Sequence, residues 1–433
     1  MQDKKSLMER FIINGGKKLS GKVRISGAKN SALKLIAASI LANTKTTLRN
    51  VPGIEDVNIM LEMLETLGAK VNVDAASKVI EIEPENINSY EAPYELVRKM
   101  RASILVAGPL LSKFGKVKVA IPGGCNIGSR QIDLHLKGFK DLGAEYLVEH
   151  GYINCQIDKS RNGNRLHGNV INLDFPSRGA TENIMMAACL ASGQTVINNA
   201  AREPEISDLA LFLNSMGAKI QGAGTDYITI DGVESLSGTD YEVMPDSIEA
   251  GTFITAAALC GERVEIENAR WRNLEVFYSK LKEIGVNITI VDENNVRVEA
   301  PLERYKPVNI STLPYPGFPT DLQPIITVLL SVVPGVSIVT ENVFENRFMY
   351  VDELNRMGAD IKIEGHHAVI RGVEKLSGAP VRSFDLRAGA AVVLAGLIAE
   401  GPTEVSDIYH IKRGYENFDE KLRLLGADIR LVE

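Results

Sequence analysis

One phrase recurs six times along the chain: LETLGAKVNV, FKDLGAEYLV, LNSMGAKIQG, LKEIGVNITI, LNRMGADIKI and LRLLGADIRL. Its central glycines are Gly68, Gly143, Gly217, Gly285, Gly358 and Gly426, spaced 75, 74, 68, 73 and 68 residues apart. Each phrase reads as an amphipathic helix that stops at a glycine able to take the left-handed C′ conformation. A strand with β-branched, alternating residues follows. Upstream in every copy lies a more apolar helix: SALKLIAASILA, RASILVAGPLL, ATENIMMAACLA, EAGTFITAAALC, TDLQPIITVLLSV and RAGAAVVLAGLIA. Each is closed by a short turn and a strand such as KVKVAI or ERVEIENA. Helices that are apolar nearly all round belong inside a domain. The expectation is six helix–strand–helix–strand units, the first helix of each buried. Six such units exceed one ordinary core. Two globular halves of three units each are expected, and a cleft between domains is a common place for a ligand.

Composition narrows the function classes. With 45% hydrophobic and 24% charged residues, the chain has an ordinary globular balance. Its longest apolar stretches, ASILVAGPLL and PIITVLLSVV, are too short to span a bilayer, and its start lacks an apolar run of signal-peptide length. A cytoplasmic protein without a membrane segment is expected. A net charge of −7 argues against general nucleic-acid binding. It leaves room for an anionic small molecule, because a local arginine cluster can override the global sign.

The four cysteines form no C-x-x-C pair, and the six histidines show no zinc-like spacing. A disulfide framework is not expected. Cys189 and Cys260 sit in apolar helical runs and read as small core residues. Cys125 differs. It lies in IPGGCNIGSR, five residues before Arg130. Either the thiol works beside a cation, or it is a small residue in a turn.

The helix starts carry polar residues: Lys29 and Asn30, Arg101, Ser177 and Arg178, Asp246, Asp321, then Asp385 and Arg387. Capping explains Ser, Asp and Asn there. It does not explain Lys29, Arg101 or Arg387, since a cation opposes the dipole at a helix N-terminus. An anion attracted by both cation and dipole does. Arg130, Arg347 and Arg413 stand in loops. With Asp321 they suggest polyanion binding joined to acid–base chemistry. No Walker loop or dinucleotide fingerprint is present.

SGAKNSALK, MRASI, PGGCNIGSRQIDLHLKGF, AAREPEI, FPTDLQ, FENRFM and IYHIKRGYE closely resemble, in order along essentially the whole chain, the UDP-N-acetylglucosamine enolpyruvyl transferases. The 5-enolpyruvylshikimate-3-phosphate synthases are looser relatives that lack the loop cysteine. The resemblance implies a two-domain inside-out α/β barrel of six repeats, three per domain. Residues 1–28 with 245–433 would form one domain, and 29–244 the other, with the Cys125 loop as a lid. It implies transfer of enolpyruvate from phosphoenolpyruvate to the 3′-hydroxyl of UDP-N-acetylglucosamine, releasing phosphate, as the first committed step of peptidoglycan synthesis. The implied partners are these two small molecules, with no nucleic acid, membrane, metal or organic cofactor. The alternatives are the same fold with another acceptor, such as shikimate 3-phosphate or a modified nucleotide sugar, or a non-catalytic substrate-binding paralogue.

By the same resemblance Cys125 is the acid and Asp321 the base. Lys29, Arg130 and Arg413 hold phosphate. Arg347 and Arg387 hold the carboxylate or shape the site, and Asn30 bonds reacting groups. Arg101, Arg130, Gln131, Ile132, Asp133, Leu134, Asp321 and Val343 lie on the UDP-sugar side, with His410 secondary. Three positions depart from the family pattern. Gln131 stands where proline is frequent, Phe175 where a basic residue is frequent (Arg178 is nearby), and Ser247 where arginine is frequent.

Overall fold

The computed structural model describes residues 9–122, 132–158, 164–301 and 304–433. Two compact units emerge. One holds the chain up to Ser26 and again Pro245–Glu433, and the other takes the described residues from Gly27 to Met244. Each has its own hydrophobic core.

Among the described residues, six apolar helices sit in these cores. In the Gly27–Met244 unit they are α1 (Lys29–Ala38), α2 (Ala107–Phe114) and α3 (Arg178–Ala188). In the other they are α4 (Ser247–Cys260), α5 (Gln323–Ser331) and α6 (Leu386–Ile398). In α6 every residue from Arg387 to Leu397 is buried. Burial on all sides requires that hydroxyls be satisfied locally. Thr252, Thr255 and Thr327 each donate to the carbonyl four residues back, over 2.8, 2.9 and 2.9 Å. It also requires small residues at close approaches. A side chain on Gly108 of α2 would begin 2.3 Å from the Asn183 carbonyl oxygen of α3.

Among the described residues, six four-stranded sheets stand around the helices. In one, Thr46–Arg49 runs parallel to Asp240–Glu242 and antiparallel to Val79–Glu83, which pairs in a hairpin with Lys70–Asp74. The other five repeat this order. The six glycines of the recurring phrase all have positive φ, from 89 to 110°. They end the outer helices as the sequence predicts.

The repeat is richer in strands than the sequence pattern indicates. Two strands per unit were expected, and each sheet has four. The hairpin partners alternate clearly, as in VIEIE at Val79–Glu83. The opening strands do not, because several hold two or three residues, such as Glu91–Ala92 and Ile310–Ser311. That is too short to show a period of two.

The chain closes each unit on itself. Leu19–Arg24 pairs in parallel with Gly261–Glu267, and Arg10–Asn14 lies between Pro402–Ser406 and Asp428–Val432. These two strands thus complete sheets whose other members come after Pro245. Asp240–Glu242 likewise completes the first sheet of the Gly27–Met244 unit.

Candidate active site

In the unit containing α4–α6, a short turn at Thr320–Leu322 leads into α5 and carries Asp321. Arg347 comes from the loop after Val336–Thr340, and Arg387 is the second residue of α6. Arg347 Nη2 donates to Asp321 Oδ1 over 2.9 Å, and Arg387 Nη2 lies 3.6 Å from Asp321 Oδ2. Both arginines are 3% exposed. Burial alone would pull their guanidinium pKa values down. Acidic neighbours offset this, so both are raised: Asp321, Asp385 and Glu341 for Arg347, and Tyr415, Asp321 and Asp246 for Arg387.

The surrounding acids are engaged by backbone. Asp246 Oδ1 accepts from the N–H groups of Ile248 and Glu249, capping α4. Asp385 Oδ1 accepts from Arg387 and Ala388, capping α6. Glu341 Oε1 accepts from Val343 and Phe344. The capping explanation therefore suffices for Asp246 and Asp385. Asp321 differs in taking two guanidiniums. Arg347 Nε and Arg387 Nε and Nη1 are buried and have no hydrogen-bond partner among the described residues. Buried donors without acceptors are costly, and an anionic ligand would supply what they lack.

Arg413 follows the turn Tyr409–Lys412 in the same unit and is half-buried. Burial and then Arg413 push the His410 imidazole pKa down, which favours its neutral form. Val343 is half-buried, and Ser247 Oγ accepts from Asn273 Nδ2 over 3.2 Å.

In the other unit, Lys29 opens α1, which has no side-chain cap and no acid in its first turn. Its ammonium is 2.8 Å from the carboxylate of Asp56, which is 2% exposed. Asn30 is half-buried, as is Arg101 at the start of the 3₁₀ turn Arg101–Val106. Asp133 is exposed at the start of helix Asp133–Asp141, flanked by half-buried Ile132 and Leu134. Ser177 caps α3. Phe175 is exposed. Arg178 lies 3.5 Å from Glu203 and 3.7 Å from Glu205, so two carboxylates already attend it. Cys125, Arg130 and Gln131 lie outside the described residues.

Two parts of this arrangement were missing from the sequence reading. Asp56 looks there like an ordinary acid in the first turn of a helix, which the dipole alone would justify. Tyr415, whose ring centroid lies 5.1 Å from the Arg387 guanidinium carbon, and Thr252, which hydrogen-bonds Tyr415, are far apart in sequence and carry no motif signal.

Over 97% of this chain and 99% of its own length, "UDP-N-acetylglucosamine 1-carboxyvinyltransferase 1" of Caldanaerobacter subterraneus is 54% identical. "UDP-N-acetylglucosamine 1-carboxyvinyltransferase 2" of Carboxydothermus hydrogenoformans is 55% identical, over 98% of this chain and 100% of its own. The family model described as EPSP synthase (3-phosphoshikimate 1-carboxyvinyltransferase) matches residues 13–422. The chain belongs to the EPSP synthase family, among its UDP-N-acetylglucosamine 1-carboxyvinyltransferases. The fold agrees with this membership. The enolpyruvyl transferase NikO from Streptomyces tendae superposes with a TM-score of 0.88 at 26% identity, covering 98% of this chain and 99% of that one. The expected EPSP synthase-like fold of six repeats is the fold found.

Proposed function

We infer that this protein is a transferase that moves enolpyruvate from phosphoenolpyruvate to the 3′-hydroxyl of UDP-N-acetylglucosamine, releasing phosphate, in the first committed step of peptidoglycan synthesis. The observation that carries this is 54–55% identity, over nearly the full length, to proteins of that name. The Pro-Gly-Gly-Cys loop adds to it, because the shikimate enzymes lack the cysteine. No helix among the described residues is long and apolar enough to cross a membrane, and the same reading places the reaction in the cytoplasm.

The chemistry assigns work to the residues. Addition joins the sugar 3′-oxygen to C2 of phosphoenolpyruvate and puts a proton on C3. Elimination breaks the bond from C2 to phosphate and removes a proton from C3, restoring the double bond. On this reading Cys125 gives the first proton and Asp321 takes the proton of the hydroxyl. Two guanidiniums beside Asp321 favour its ionised form, the state a base needs. Arg387 and Arg347 hold the substrate carboxylate and shape its surroundings. Lys29, Arg130 and Arg413 bind the phosphate, and Asn30 bonds reacting groups. Arg101, Gln131, Ile132, Asp133, Leu134 and Val343 contact the UDP-sugar. A cysteine near cations has a depressed pKa. Bound anionic substrates would push the thiol back toward the protonated form that a donor requires.

The test is to incubate purified protein with phosphoenolpyruvate and either UDP-N-acetylglucosamine or shikimate 3-phosphate. Phosphate release and product mass are then measured. Enolpyruvyl-UDP-N-acetylglucosamine is the expected product. A product with shikimate 3-phosphate alone, or no phosphate release with either, would overturn the reading.

A further inference from the structure

Two stretches of the unit containing α4–α6 are joined by side-chain rungs. One runs from Thr320 to Gln323, the other from Glu341 to Tyr350. The middle rung is the Arg347–Asp321 pair described above. The outer rungs have no part in the proposed reaction. Thr320 Oγ1 donates to Glu341 Oε2 over 3.0 Å, and the Tyr350 hydroxyl donates to Gln323 Oε1 over 3.1 Å. Glu341 is 1% exposed, and its second oxygen is taken as well. Oε1 accepts from the N–H groups of Val343 and Phe344 over 2.8 and 3.1 Å. A carboxylate removed from water is costly unless its lone pairs are met. Here a hydroxyl and two backbone N–H groups meet them, so both oxygens are held in place. The next residue fixes the root of the same loop. The Asn342 N–H donates to Thr312 Oγ1 over 3.0 Å, and its Nδ2 donates to Ser311 Oγ over 2.8 Å.

The loop that begins at Glu341 carries Val343, assigned above to the nucleotide sugar, and Arg347, which bonds Asp321. Glu341 holds Thr320 while Arg347 holds its neighbour Asp321, so the loop is pinned at two points to one short turn. A single pin at Arg347 would let loop and turn pivot about it, and the second removes that freedom. We propose that Glu341 is a positioning residue that sets the separation of Val343 and Asp321, and with it the placement of the sugar 3′-hydroxyl against its base. This rests on the roles of Val343 and Asp321 given under the proposed function. Misplacement by about 1 Å can cost about a hundredfold in rate, which is the scale on which a lost pin would be felt.

The experiment is steady-state kinetics on Glu341→Leu, Glu341→Gln, Thr320→Val and Thr320→Ser, with Asp321→Asn and Val343→Ala as controls and melting temperatures alongside. Glu341→Leu keeps the bulk and deletes every acceptor. It is expected to lower kcat about 10–100-fold and to raise KM for UDP-N-acetylglucosamine, with KM for phosphoenolpyruvate changing less. Glutamine keeps an oxygen for the two N–H groups, and its amide can donate to the Thr320 hydroxyl instead of accepting from it. Glu341→Gln should therefore retain most of the turnover. Thr320→Val should lower kcat in the same sense, and Thr320→Ser should restore it; these two carry the test if Glu341→Leu does not fold. Combining Thr320→Val with Glu341→Leu should cost less than the product of the two separate losses, as for two ends of one bond. Suppose Asp321→Asn lowers kcat and Val343→Ala raises KM for UDP-N-acetylglucosamine, while Glu341→Leu and Thr320→Val do neither. The assigned roles then stand and the positioning role is wrong. If either control leaves its constant unchanged, that role fails and takes the inference with it. Losses that multiply independently, or a Glu341→Gln variant as impaired as Glu341→Leu, would also overturn the proposal. A lower melting temperature with unchanged kcat and KM would make Glu341 purely structural and overturn it too.

Discussion

Arg347 Nη2 donates to Asp321 Oδ1 over 2.9 Å from a side chain that is 2% exposed. A buried, fixed guanidinium holds the carboxylate in one orientation and favours its charged form. Asp321→Asn keeps the shape and an oxygen for Arg347 to address but cannot take up a proton. We expect kcat to fall about 10²–10⁴-fold, the usual size of a general-base loss. Binding of UDP-N-acetylglucosamine should stay within a few-fold. Turnover together with calorimetric binding checks this. A turnover number near wild type would remove Asp321 from the role of base.

Lys29 and Arg413 are both assigned to the phosphate of phosphoenolpyruvate. Replacing either by alanine deletes a charge-assisted contact. The dissociation constant for phosphoenolpyruvate should rise about tenfold or more, and more than that for UDP-N-acetylglucosamine. Calorimetry with each ligand separates the two. Equal losses, or a loss confined to the nucleotide sugar, would contradict the assignment.

The architecture was legible in the sequence wherever a period or a glycine marked it. The helix-ending glycines, from Gly68 to Gly426, needed only positive φ after an amphipathic run. Strands as short as Glu91–Ala92 were not legible, because two residues carry no period. At the site, residue type pointed to Asp321, Arg347 and Arg387, while their meeting needed the fold. Arg178 shows the reverse: in the sequence it is a cation at a helix start near Phe175, and only the fold brings Glu203 and Glu205 to it. Tyr415 and Thr252 are 163 residues apart, and nothing in a single sequence joins such a pair.

Lys34 on α1 and Glu182 on α3 form an ion pair at 2.6 Å, with side chains 6% and 1% exposed. Neither Lys34 Nζ nor Glu182 Oε1 has a further hydrogen-bond partner among the described residues. Burial pushes the Glu182 carboxyl up to about 7 despite the opposing pull of Lys34 and Arg178. The folded protein therefore keeps this proton at pH values where the unfolded chain has lost it. Below the ordinary glutamate range the group contributes no pH dependence. As pH rises from there through about 7, it removes stability, by about 3 kcal/mol at most. Glu182→Gln should flatten that part of the profile. Lys34→Met strands the carboxylate, so it should cost about 3–5 kcal/mol at pH 8 and clearly less at pH 5. Lys34→Met with Glu182→Leu should be nearly neutral or stabilising. Melting temperatures at the two pH values measure all three, and a Lys34→Met penalty that does not grow with pH would refute the account.

Cys155, Cys189 and Cys260 are buried, and burial pushes each thiol up to about 12. At pH 8 only about one part in 10⁴ of each is thiolate, the form that reacts. The native protein should therefore titrate one thiol with a disulfide reagent, at Cys125, and four after denaturation. An epoxide phosphonate such as fosfomycin should inactivate by modifying that same residue, as peptide mapping would show. Replacement tests the proton-donor role separately from reactivity. Cys125→Asp supplies a carboxylic acid that can still donate if its pKa is raised in the liganded site. Cys125→Ser supplies a hydroxyl far too weak as an acid near neutral pH. The aspartate variant should keep substantial turnover and resist covalent inactivation, while the serine variant should lose most activity. An adduct on Cys155, Cys189 or Cys260 would contradict their burial. A serine variant as active as wild type would leave Cys125 a small residue in a glycine turn, and the proton would have to come from another group.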